Sequence, residues 1–114
     1  MAKVGPRPQG VGVAIRDVLR MHQPISVTEL RMRVNKIRDE EGRRLISYAT
    51  MRRYIVKAVQ IGIVRLDGTE PRQDRLYAHQ LGDEPERNLY RIVRGNTTDR
   101  RWGYLPLIVA GKRT

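Results

Sequence analysis

Between Tyr48 and Gly68 the apolar period changes at a single glycine. From Tyr48 to Gln60 the apolar residues recur at helical spacing, and Ser47 stands before them as a candidate N-cap. At about 100° per residue, Met51, Ile55, Ala58 and Gly62 fall on one side. Ala49, Arg53, Val56, Lys57 and Gln60 fall on the other, with Arg52 beside them. After Gly62 the segment "IVRLDG" reads as a short strand that runs into an Asp67-Gly68 turn. A helix therefore feeds a strand, and the expected fold class is α+β.

Two helices are expected upstream. Val11, Ile15, Val18 and Leu19 recur at helical spacing from Val11 to His22. Gln23 and Pro24 stop that helix, because a proline disfavours helical geometry in the residue before it. Ser26 opens the next one. "SVTE" is a capping box, in which the Ser26 hydroxyl accepts from the Glu29 amide and the Glu29 side chain reaches back. Leu30, Val34 and Ile37 follow, and the helix fades into "RDEEGRR" with Gly42 as its stop.

Downstream, "RLYAHQL" (Arg75 to Leu81) is expected to pair with the first strand as a hairpin, and "NLYRIV" (Asn88 to Val93) to follow as a third strand. The run Tyr104 to Ala110 reads as a fourth strand or a docking tail, with Pro106 restricting it to a sheet edge. Residues 1–10 read as a flexible basic arm carrying Lys3 and Arg7.

Charge narrows the function. The net charge is +11, and arginine supplies most of the basic total. Such a surface attracts polyanions, and the planar fork of arginine can bind two phosphate oxygens at once. The plainer alternative is an arginine-rich surface with no binding role. With 39% hydrophobic residues the chain is expected to fold, although a core without Phe must rest on Leu, Ile, Val, Met and a few Tyr. Cys is absent, which excludes disulfides and thiolate metal sites. No apolar run approaches the ~20 residues that span a bilayer, and the N-terminus lacks the apolar region of a signal peptide, so a cytoplasmic setting and no membrane partner are expected.

The order of three helices, a glycine and a hairpin resembles the winged helix-turn-helix superfamily. The residues that carry the resemblance are "PISVTEL" at the second helix and "YATMRRYIVKAVQIGIVRLDG" over the third helix and first strand. "AVQIGIV" (Ala58 to Val64) is similar to that superfamily's third-helix ending. The resemblance covers residues 11–81 and leaves 82–114 as a C-terminal β extension or docking tail. The link from Asp39 to Ile46 is longer and more charged than a tight turn.

The resemblance implies a DNA-binding transcriptional regulator whose helix 48–60 reads the major groove. It implies that Arg52, Arg53 and Lys57 meet phosphates or guanine edges, that Gln60 pairs with adenine, and that Ala49 and Val56 touch thymine methyls. Arg72 and Arg75 would lie in the wing. That loop, Asp67 to Arg75, is slightly acidic, so an up-and-down meander is invoked to return "RGNTTDRRW" to the wing tip with Arg94, Arg100 and Arg101. An ordinary hairpin loop is the equal alternative. The plainer alternative for this helix is a solvated basic face on a protein-binding winged helix.

Two other classes stay open. One is an RNA-binding or ribonucleoprotein component, for which five Tyr and one Trp offer few stacking platforms. The other is an interaction module that docks a partner or a second copy, as a homodimer, through Tyr104 to Ala110. No catalytic set, metal site or cofactor motif is legible. "DEE" (Asp39 to Glu41) lacks a nearby His or Cys, "GVG" at Gly10 to Gly12 is not a Walker loop, and His22 ends a helix.

Overall fold

The computed structural model describes residues 9–71 and 86–111. The expected arm residues 1–8 and the expected strand Arg75 to Leu81 lie outside them. The elements run α1 (Gln9–His22), α2 (Val27–Glu40), α3 (Tyr48–Gln60), β1 (Val64–Pro71), β2 (Glu86–Ile92) and α4 (Arg101–Val109). The described residues are thus four helices and a two-stranded antiparallel sheet, an α+β arrangement.

Local chemistry sets each boundary. α1 begins at Gln9, so Gln9 and Gly10 belong to the helix rather than to the expected arm. Arg20 lies in its last turn, where a positive charge is favoured by the helix dipole. Ser26 caps α2, its Oγ accepting from the Glu29 amide at 3.2 Å. The reciprocal half of the expected box is not made. The Glu29 carboxylate pairs instead with Arg33, one turn on, at 2.7 Å. A charged donor holds a carboxylate more strongly than a neutral amide does. Ser47 caps α3 by accepting from the Thr50 amide at 3.1 Å. At the far end Gly62 takes φ +88°, which lets the Ile63 N–H reach back to the Ala58 carbonyl at 3.0 Å.

The long link between α2 and α3 is held by side chains of α2. Asn35 accepts the Ile46 N–H at 2.8 Å and donates to the Ile46 carbonyl at 2.9 Å. Arg31 donates to that same carbonyl at 3.0 Å, and Arg38 donates to the Arg44 carbonyl at 2.7 Å. Ile46 itself is buried in the core. The pose of α3 is therefore fixed at its start.

The sheet differs from the expected meander. β1 pairs directly with β2, from Val64↔Ile92 to Pro71↔Glu86. The segment expected as a third strand is thus the partner of the first. Asp67 and Gly68 do not form a turn. They are a bulge opposite Leu89, with Gly68 at φ +93°, inside a strand that continues to Pro71. Ile25 and Tyr90 exchange both backbone hydrogen bonds, at 3.0 and 2.9 Å, which ties the α1–α2 connection to β2. The connection between the paired strands lies beyond Pro71 and Glu86. The loop from Arg94 to Trp102 therefore leaves from the opposite end of the hairpin, and the expectation that it returns to the wing tip is overturned.

Tyr104 to Ala110 is not a strand. Tyr104 to Val109 belong to α4 and Ala110 follows as its C-cap; the helix places Trp102 and Leu105 in the same core cluster as Ile15, Leu30, Met51 and Ile92. The described part of the C-terminal third thus shares the core of the helices. The Trp102 indole N–H donates to the Asn96 carbonyl at 2.8 Å. Pro106 stands four residues after Trp102 and has no N–H to give to its carbonyl. That carbonyl instead faces Gly12 of α1, where a Cβ would lie only 1.6 Å from it. The proline is accommodated because the helix it weakens is packed against a glycine.

Gly12→Ala is the corresponding test. Ala is the better helix former by about 1 kcal/mol. Overpacking against Trp102 costs about 1–3 kcal/mol or more and should win. A urea melt should show a lower midpoint with native helical content.

Candidate nucleic-acid interface

α3 separates its two sides cleanly. Met51, Ile55 and Ala58 are fully buried. Ala49, Arg52, Arg53, Val56 and Gln60 are exposed, and Lys57 is half-buried. Gly62 departs from the expected inner side: it is exposed, because its role is the left-handed turn after the helix. α3 contains no acidic residue.

The acids elsewhere are mostly engaged. Asp17 pairs with Arg16, Glu29 with Arg33, and Glu41 with Arg43. Asp67 lies against Arg91 at 2.7 Å and Arg65 at 3.3 Å, and the Arg91 hydrogen bond holds its carboxyl below the usual range despite some desolvation. Arg52, Arg53 and Lys57 make no ion pair or side-chain hydrogen bond among the described residues. The positive charge of α3 is therefore left uncompensated on its outward face.

The other candidates divide. Arg72, Arg75, Lys3 and Arg7 lie outside the described residues. Arg94 and Arg100 are exposed in the loop after β2. Arg101 is exposed, but its fork is committed. It binds the Asp99 carboxylate through Nε and Nη2 at 3.0 and 2.8 Å, and the Ile61 carbonyl at 2.9 Å. It fastens α4 to the end of α3 rather than standing free for a ligand. The signal was in "DRR", where an aspartate two residues earlier can claim the guanidinium. The Arg101 hydrogen bond is also the main reason that the Asp99 carboxyl is lowered to about 2.

A polar cleft of about 90 Å³ lies beside the first turn of α3. Ser26 and Thr28 of the α2 start, Tyr48 and Arg52 of α3, and Asn88 and Tyr90 of β2 line it. These residues lie far apart in the sequence and are joined only by the packing of three separate elements. No group of residues suited to a metal ion occurs among the described residues. No helix there is long and apolar enough to cross a membrane. No known protein family, curated protein or solved structure matches the chain.

Ile55→Ala should cost about 2–5 kcal/mol in a denaturant melt, as for a fully buried aliphatic. Arg53→Ala or Lys57→Ala should stay within about 0.5 kcal/mol of the parent. The Asp99 carboxyl is depressed in the folded state, so its stabilising contribution is complete above the usual carboxylate value near 4. It is lost as pH falls through about 2. Melts from pH 5 to pH 2 should show the parent losing its advantage over Asp99→Asn along that range.

Proposed function

We propose that this chain binds double-stranded DNA by laying the exposed face of α3 in the major groove, as a small winged-helix-like regulator of transcription. The observation that carries the reading is the uncompensated basic face of α3, directly opposite its buried face. A helix of this kind enters a groove about 12 Å wide. The element order supports it, with α2 capped and fixed ahead of α3 and the β1–β2 hairpin immediately behind. The Ile25–Tyr90 pairing, which anchors the hairpin beside the helices, supports it further.

Each side chain then has a distinct role. Arg52, Arg53 and Lys57 meet phosphates or guanine edges. Gln60 can pair with adenine, and Ala49 and Val56 offer apolar contact to a thymine methyl.

The test is fluorescence anisotropy against a random-sequence duplex over a salt series. Binding should weaken linearly in log–log form, by about 0.9 per phosphate neutralised. Arg53→Ala with Lys57→Ala should reduce that slope by up to two phosphates' worth while leaving the melt unchanged. Absence of any duplex binding at low salt contradicts the reading. Preference for a structured RNA competitor over the duplex contradicts the choice of DNA.

A further inference from the structure

We propose that Arg31 and Arg38 form a second phosphate-binding site on the edge between α2 and the α2–α3 link, which grips the DNA backbone beside the groove that α3 occupies. The inference rests on the DNA-binding reading and extends it to residues on another element.

The two arginines lie seven residues apart on α2, on one stripe with Asn35 between them. Each is anchored through Nε alone, Arg31 to the Ile46 carbonyl at 3.0 Å and Arg38 to the Arg44 carbonyl at 2.7 Å. Neither has an ion pair or another side-chain hydrogen bond among the described residues. Asp39 and Glu40 follow Arg38 in the chain, yet neither pairs with it. Both guanidinium groups are therefore held at one nitrogen by backbone, while the two terminal nitrogens of each stay unengaged.

That is a suitable state for phosphate. The charge is retained because a carbonyl neutralises nothing. Part of the ordering cost is already met, because the Nε bond restrains the long side chain before a ligand arrives. The Ile46 carbonyl is itself fixed, since Asn35 holds both polar groups of that residue. Along the helix axis the two arginines are separated by about 10 Å. The link leads directly into Ser47 and the first turn of α3. A duplex lying on α3 would pass its backbone along this edge.

The experiment compares the full chain with Arg31→Gln, Arg38→Gln on a random-sequence duplex over a salt series. Glutamine keeps a donor for each carbonyl and removes the charge. The expected result is about tenfold weaker binding at 0.1 M salt and a salt slope lower by nearly two phosphates' worth, at about 0.9 each. Unchanged affinity and slope with an intact fold overturn the second site while leaving the α3 reading standing. A parent chain that binds no duplex overturns both. If the double variant fails to fold, the unaltered chain decides. Bound duplex should protect Arg31 and Arg38 from an arginine-selective dicarbonyl reagent, and equal modification with and without duplex overturns the proposal.

Discussion

One side-chain amide, that of Asn35, holds both backbone polar groups of Ile46, and the pose of α3 follows from it. The link after α2 is polar, charged and too long to be a tight turn. Without an anchor it would leave the start of α3 undefined. The Asn35 clamp fixes Ile46, whose side chain enters the core, and Ser47 then caps the helix one residue later. Once its start is set, burial of Met51, Ile55 and Ala58 fixes its rotation. The basic residues face outward because the apolar ones face inward. The Asn35 amide, half-buried and paired in both directions, also leaves neither polar group of Ile46 unsatisfied.

The far end of α3 is secured by different means. Gly62 turns the chain, Ile63 bonds back to Ala58, and Arg101 reaches the Ile61 carbonyl from the start of α4. Trp102 then carries α4 into the core across Gly12. The C-terminal helix thus braces α1 and α3 together. An interface of two or more basic elements needs such bracing, because repulsion among its cations opposes their alignment.

Helix starts and stops were legible in the sequence because their chemistry is local. Ser26 and Ser47 each bond an amide three residues on, and Gly62 ends a helix through its own backbone freedom. The two sides of α3 were legible because helical spacing alone assigns them. What escaped was non-local. The pairing of β1 with β2 depends on a register across a long connection. The bulge at Asp67-Gly68 looks like a turn until its partner strand is known. The helix α4 reads as a strand because Pro106 is a poor helix residue, and only the facing Gly12 shows why it is tolerated. Nothing local in the sequence says that the link after α2 lies against Arg31, Asn35 and Arg38. Arg101 carries no spare charge for a simpler reason: Asp99, two residues before it, claims the guanidinium.

On the reading proposed above, the outward face of α3 and the fixed edge beside it are where nucleic acid would bind. Amide chemical-shift mapping of the labelled chain during titration with a short duplex tests this most directly. The largest changes should fall on Ala49, Arg52, Arg53, Val56 and Gln60, with a second group from Arg44 to Ser47. The amides of α1 and α4 should change little. Changes centred on α1 and α4, or none at a duplex concentration well above that of the protein, would contradict it.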